Sequence, residues 1–105
     1  MTLSEFVNIT AKKHLTVRPM IVCKDGFKIS VQGSKAHYCT PQENSNSYLE
    51  MEVGYPSEVE PMLLDYAENP KFPEASVYGY VPFPLIKRII EKHGGIDETK
   101  TFQPK

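Results

Sequence analysis

The sequence predicts a single α+β domain, in which a four-stranded, mainly antiparallel sheet is packed by helices. An Asp25-Gly26 hairpin signal joins two runs that are rich in β-branched residues. Further runs predict two more strands, and three segments with apolar residues at helical spacing predict helices. The predicted order is α-β-β-β-α-β-α, and a length of 105 residues suits one domain.

The first helix is predicted from about Leu3 to Lys13. Thr2 and Glu5 have the spacing of a capping box, in which each side chain satisfies a free backbone N–H of the other residue. Phe6 and Val7 belong to an apolar stripe along this helix. The helix should therefore pack one face against the sheet.

The hairpin is predicted over residues 19–32. A two-residue turn at Asp25-Gly26 sets Val22 opposite Ile29 and makes one face apolar. That face is predicted to consist of Met20, Val22, Phe27, Ile29 and Val31. Ile21 and Cys23 then point to the other face.

Two more strands and two more helices follow in the second half of the chain. Alternating polarity predicts a strand at residues 48–53, and a second β-rich run predicts one at residues 77–81. Ser57 and Glu60 have the spacing of another capping box, so a helix is predicted from there to about Ala67. The last helix is predicted from Leu85 to His93, with a left-handed stop at the glycine pair that follows.

The globular domain is predicted to cover residues 1–96. Residues 97–105 have little apolar content and are predicted to form a frayed tail.

The chain is predicted to be cytosolic, because its first residues lack the apolar core of a signal peptide and no later run is long enough to span a membrane. The two cysteines are then expected to be free thiols. Zinc was considered for a set formed by Cys23, His37 and Cys39 with His14 or His93, but their spacing is unlike that of common zinc sites. We therefore expect no metal and no cofactor.

His37 and Cys39 provide the alternative of a small enzyme. Alternate residues of an extended segment share a side, so the imidazole could activate the thiol as a nucleophile. No Asn or Asp is marked out to orient that base. Glu50 and Glu52 also share a face and have a spacing that a catalytic carboxylate pair can have. Alternating charge is, however, common on the solvent-exposed side of a strand. Non-enzymatic function is the leading prediction.

The tyrosines offer one candidate binding surface. Tyr78 and Tyr80 alternate along the last strand, and two readings are open. If the helices leave that face uncovered, both tyrosines join Tyr48 in an exposed aromatic patch that is used in binding, most simply in a homodimer. If the helices cover it, the tyrosines belong to the core.

The acidic residues offer a second candidate surface. Residues 41–80 hold eight acidic residues and one basic residue, although the net charge of the chain is only −1. This imbalance argues against nucleic acid as a partner and favours a basic protein. The predicted binding residues are Glu50, Glu52, Glu58 and Glu60, with Asp65 and Glu68 as further members.

Residues 48–95 contain the runs MEVGYPSEVEPMLLDYAENP and VYGYVP and end in a helix that finishes with HGG. This stretch resembles short uncharacterised proteins encoded by bacteriophages and prophages. The resemblance implies a small accessory protein that binds a host protein, and it carries no functional residue across. The function expected from the sequence is thus a protein-interaction module that acts through an acidic or aromatic surface.

Overall fold

The computed structural model describes residues 1–11 and 17–102, and the prediction of a single α+β domain is confirmed. Its four strands form one antiparallel sheet in the order β1-β2-β3-β4, so each strand pairs with its neighbour in sequence. The strands are β1 (Ile21–Val22), β2 (Lys28–Gln32), β3 (Glu50–Gly54) and β4 (Val77–Pro82). No helix of the described residues is long and apolar enough to cross a membrane.

The helices are α1 (Leu3–Ala11), α2 (Phe83–Lys92) and α3 (Glu98–Thr101), with two 3₁₀ helices at Pro61–Tyr66 and Pro73–Ala75. The capping box of α1 is confirmed. The Thr2 amide donates to Glu5 Oε1 at 2.9 Å, and the Glu5 amide donates to Thr2 Oγ1 at 3.1 Å. The predicted end of this helix at Lys13 lies outside the described residues.

The predicted hairpin register is wrong by one residue. Ile21 pairs with Ile29, and the Cys23 amide donates to the carbonyl of Phe27, so the loop has three residues and not two. Asp25 explains the longer loop, because its Oδ1 accepts a hydrogen bond from the Phe27 amide at 2.9 Å while Gly26 takes a φ of +95°. The shift exchanges the two faces of β1.

The core lies on the face of the sheet to which the observed register directs Ile21 and Cys23. Ile21 and Cys23 are fully buried, whereas Met20 is 39% exposed, the reverse of the predicted arrangement. In the predicted apolar stripe of α1, Phe6 and Val7 are confirmed as core whereas Ile9 is 38% exposed, and Ile86 and Ile89 of α2 are confirmed as core. The largest contributions to the core come from Phe6, Val7, Ile29, Val31, Met51, Val53, Leu63, Tyr78, Val81, Ile86 and Ile89.

The second predicted capping box is wrong, because the 3₁₀ helix begins at Pro61 and not after Ser57. The Ser57 amide donates to the Lys28 carbonyl and the Lys28 amide donates to Ser57 Oγ, each at 2.9 Å. Ser57 therefore binds the start of β2 from the segment that follows β3. Glu60 is the N-cap, and its side chain accepts from the Met62 amide at 3.2 Å. Proline favours the first helical position, which fixes this start.

Both outer strands of the sheet are covered. At β1, the Asp97 amide donates to the Val22 carbonyl and Thr101 Oγ1 accepts from the Val22 amide. At β4, the Glu68 amide donates to the Val77 carbonyl at 2.9 Å. Covered edges obstruct the addition of a strand from another chain.

The prediction of a frayed tail that begins at Asp97 is wrong as far as Phe102. Asp97 caps α3 by accepting from the Lys100 amide at 3.0 Å, and Thr101 is buried against β1. The Phe102 ring lies 5.8 Å from the Phe6 ring. Few apolar residues suffice here, because Ile96 and Phe102 reach a core that the strands have already built.

Candidate protein-interaction surface

Of the two interpretations of the tyrosines, the one in which Tyr48, Tyr78 and Tyr80 share an exposed face is wrong, and the one that places them in the core is confirmed for Tyr78 but not for Tyr80. Tyr78 is fully buried, and its hydroxyl donates to the carbonyl of Pro73. Tyr48 is 6% exposed, and its hydroxyl accepts from the Ser45 amide and donates to the Glu43 carbonyl in the preceding loop. Tyr80 alone of the three is accessible, at 44%. The aromatic patch on which a homodimer was predicted is therefore absent from the described residues.

A β-bulge separates Tyr80 from Tyr78. Met51 pairs with Val81 and Val53 pairs with Tyr78, so β4 has one more residue than β3 between these two pairs. Tyr80 lies in this bulge with a φ of +53°, a conformation that is unfavourable for a residue with a large side chain. The extra residue turns Tyr80 away from the core.

The Tyr80 ring lies beside Tyr38, which comes from the loop between β2 and β3. The two ring centroids are 5.9 Å apart with an interplanar angle of 34°, and the Tyr80 amide donates to the Tyr38 carbonyl at 3.0 Å. Gly79 makes this approach possible, since a Cβ there would lie 3.2 Å from the Cβ of Tyr38. Loop and strand are thus joined at one aromatic pair.

The aromatic pair borders an open depression of about 290 Å³, which we call the tyrosine groove. Asp65 and Glu68 lie on its rim and are exposed, and the described residues that line it include no cation. Its volume suits one or two side chains better than a cofactor. The residues that line the tyrosine groove are Tyr38, Asp65, Tyr66, Ala67, Glu68, Gly79 and Tyr80.

Glu50 and Glu52, two of the predicted acidic binding residues, hold the loop that carries Tyr38. Glu50 Oε1 accepts from Thr40 Oγ1 at 2.8 Å, and Glu52 Oε1 accepts from the Tyr38 amide at 3.2 Å. Both side chains are partly buried by these contacts. Glu58 is exposed but lies apart from the tyrosine groove, beside the hairpin turn.

Glu60 was predicted to be a surface residue, and this is wrong. Its side chain is 1% exposed, with both oxygens 3.0 Å from Lys92 Nζ and Oε1 at 3.3 Å from His93 Nε2. His93 Nδ1 lies 2.6 Å from Asp25 Oδ2, and its ring stacks on Phe27 with 3.9 Å between centroids. This cluster joins the hairpin turn, the first 3₁₀ helix and the end of α2.

The cluster lowers the pKa of both carboxyl groups. Burial by itself would raise the pKa of Glu60, but hydrogen bonds from Lys92 and from neighbouring groups outweigh it and leave the pKa below its ordinary value. The pKa of Asp25 is lowered by hydrogen bonds from the Phe27 amide and then from His93. Both groups therefore favour the folded state in their ionised form.

Acidification is expected to destabilise the fold through these two carboxyl groups. A lowered folded-state pKa contributes stability above the ordinary values, 3.8 for Asp25 and 4.5 for Glu60, and this stability is lost as the pH falls through the folded values. Urea midpoints measured from about pH 6 to about pH 3 should fall, and should fall less in the double variant Asp25→Asn, Glu60→Gln. An equal fall in both proteins would assign the acid sensitivity to other carboxyl groups.

The predicted pairing of His37 with Cys39 is also wrong. The Cys39 thiol is buried, donates towards the Ser34 carbonyl at 3.3 Å, and has a pKa that burial raises. The His37 ring instead places Nδ1 2.6 Å from Ser34 Oγ and Nε2 3.9 Å from the carboxylate of Glu52. A raised thiol pKa is the opposite of what a cysteine nucleophile needs.

The residues considered for zinc do not converge. Cys23 lies in the core beside β1, and burial, followed by the charge of Asp25, raises its pKa to about 11. Both cysteines are free. Within residues 1–11 and 17–102 there is no group of three or more His, Cys, Asp or Glu side chains placed to hold a metal ion, and His14 lies outside those residues.

Comparison of the chain with protein-family models, with curated proteins and with solved structures finds no match. The tyrosine groove is therefore the feature from which a function is inferred. Tyr80 and, as additional members, Asp65 and Glu68 were predicted from the sequence as binding residues, whereas Tyr38 and Tyr66 were not. The available signal was Gly79 between two tyrosines, since a glycine inside a strand often marks a bulge or a close approach.

Proposed function

We propose that the protein is a non-enzymatic interaction module that binds a basic segment of a partner protein in the tyrosine groove. The observation that carries the proposal is the pair of accessible rings, Tyr38 and Tyr80, above a depression rimmed by Asp65 and Glu68. Aromatic faces attract cations, and carboxylates form charge-assisted hydrogen bonds with them. Ring faces and carboxylates together suit a positively charged side chain.

The backbone of Tyr80 supports a functional role for this side chain. A left-handed conformation costs a residue with a bulky side chain on the order of 1–3 kcal/mol, and glycine would avoid that cost. The chain nevertheless has tyrosine at this position, with φ +53° and the ring turned outwards. Such strain occurs at binding sites. It does not identify a site by itself, since Tyr55 has a similar φ, but Tyr80 combines it with the neighbouring Tyr38 ring and a place in the tyrosine groove.

The charge distribution supports a basic partner. The segment of residues 41–80, with eight acidic residues and one basic residue, contributes both carboxylates of the groove rim. A concentrated negative field speeds the association of a positively charged partner and weakens with added salt. In this proposal the module is a cytoplasmic accessory protein of a phage or prophage and its partner is a host protein, as the resemblance of residues 48–95 implies.

Selection from a random peptide library displayed on a surface tests the proposal. We expect the protein to enrich peptides of net positive charge, whose affinity falls as salt is raised, because the rim is acidic. The variant Tyr80→Gly should lose these peptides, since it removes the ring while glycine suits the φ of +53°. Glu68→Lys should lose them through charge repulsion.

Tyr55→Gly is the matched control. Tyr55 also has a positive φ, of +49°, and its ring is 54% exposed, but it does not line the tyrosine groove. Its replacement should leave binding of the selected peptides unchanged. Enrichment of neutral or acidic peptides, or binding that survives Tyr80→Gly, would contradict the proposal.

A further inference from the structure

We infer that the group bound in the tyrosine groove is an arginine side chain rather than a lysine side chain. This inference rests on the proposed function and specifies the chemistry of that same site. It follows from the arrangement of the two rings, from the exposed carboxylates of Asp65 and Glu68 and from the half-buried residues that line the groove with them.

The rings of Tyr38 and Tyr80 form a wall and not a box. With centroids 5.9 Å apart and planes tilted by 34°, the rings lie beside each other and leave no room for a cation between them. A compact ammonium group is held best where aromatic faces surround it. A flat guanidinium group instead stacks on a single ring face and leaves its N–H edge free, so the wall suits arginine.

The carboxylates of Asp65 and Glu68 are available to that N–H edge. Both are exposed, and in the described part of the chain no cation lies within ion-pair distance of either one. Glu60, by contrast, is already occupied by Lys92. A guanidinium group can donate two parallel hydrogen bonds to one carboxylate while its plane rests on an aromatic ring, and an ammonium group cannot.

Two further lining residues suit the aliphatic part of the same side chain. Ala67 and Tyr66 also line the groove, and both are half-buried. Methylene groups of an arginine stem gain stability when they cover apolar surface with their charged end still near water. The volume of about 290 Å³ accommodates one such side chain.

Titration followed by amide chemical shifts tests the inference directly. The probes are the N-acetyl methylamides of arginine, lysine and citrulline, of which citrulline keeps the planar shape of arginine but has no charge. We expect arginine to shift the amides of Glu68, Gly79 and Tyr80, with an affinity several-fold tighter than that of lysine. Citrulline should bind several-fold more weakly than arginine, because the rim carboxylates favour a cation.

Three variants assign the binding to the groove. Tyr80→Gly should abolish the arginine-dependent shifts and Tyr55→Gly should preserve them, while the unperturbed amide spectrum of each variant shows that it is folded. The double variant Asp65→Asn, Glu68→Gln should weaken arginine several-fold and citrulline little. Equal affinity for arginine and lysine, equal affinity for arginine and citrulline, or absence of shifts with arginine would each overturn the inference.

The failure of this inference can be told apart from the failure of the proposed function. If library peptides bind in the groove and tolerate replacement of every arginine by lysine, the basic-partner proposal stands and arginine selectivity is wrong. If no basic peptide binds in a manner that depends on Tyr80, both are wrong. If the peptides bind in a manner that depends on Tyr80 and lose binding when arginine is replaced by lysine, both the basic-partner proposal and the arginine inference are supported.

Discussion

Glu60→Ala is expected to lower the free energy of unfolding by about 3 kcal/mol. The side chain is almost completely buried and is bonded to Lys92, His93 and the Met62 amide. Its removal leaves the buried His93 ring and the Met62 amide with fewer partners, and an unsatisfied buried polar group costs about 1–3 kcal/mol. The cost arises mainly at these two groups, because Lys92 is half-exposed and regains water.

Glu58→Ala provides the control for this variant. Glu58 is an exposed acidic residue two positions away, so its replacement should change the free energy of unfolding by no more than about 0.5 kcal/mol. Urea denaturation of the three proteins at neutral pH measures both differences. A Glu60 variant as stable as the Glu58 variant would mean that the cluster contributes no net stability, as happens for some buried ion pairs.

The fold class could be predicted from the sequence because it depends on local patterns. The apolar stripe of α2, the capping box at Thr2 and the run that forms β4 are each contained in fewer than about a dozen neighbouring residues. The core of an α+β domain follows from where such patterns place apolar side chains. These parts of the prediction did not require knowledge of distant contacts.

The register of the hairpin could not be predicted with the same security. Asp-Gly favours a two-residue turn, but Asp25 also forms a side-chain hydrogen bond to the Phe27 amide that favours a loop of three residues. Both turns are allowed locally, and they differ by one residue of register. The choice is made by burial, since the observed register places Ile21 and Cys23 in the core, whereas the predicted register would bring Lys24 to the core face beside Met20 and Val22.

The candidate site depends on contacts between distant segments, which is why the sequence revealed only part of it. Tyr80 is exposed because of a bulge. Gly79 is compatible with a bulge, but VYGYVP fits a regular strand that would carry Tyr78 and Tyr80 on one face equally well. Tyr38 reaches Tyr80 from 42 positions earlier in the chain. Glu60 has the composition of a surface residue and is buried only because Lys92 and His93 end a distant helix beside it.

A second buried polar residue, Arg18, holds the start of the loop between β2 and β3, which carries Tyr38. Its Nε donates to Thr10 Oγ1 at 2.7 Å, and its Nη1 donates to the Gly33 carbonyl at 2.7 Å. Its guanidinium carbon lies 5.6 Å from the centre of the Tyr48 ring, which itself covers Gly33 so closely that a Cβ there would overlap it. Arg18 thus connects α1 with the start of the loop between β2 and β3.

Arg18→Met is expected to lower the free energy of unfolding by about 3 kcal/mol, because it removes buried hydrogen bonds and leaves at least the Gly33 carbonyl without this donor. Methionine retains much of the aliphatic volume, so the loss reflects polar contacts more than a cavity. Arg88→Met is the matched control: it removes an exposed arginine from α2 and should cost no more than about 0.5 kcal/mol. Urea denaturation compares the two, and an equal effect would mean that water replaces the buried contacts of Arg18. Because Arg18 also anchors the loop that presents Tyr38, its variant should weaken peptide binding in the tyrosine groove while it is still folded, which Arg88→Met should not do.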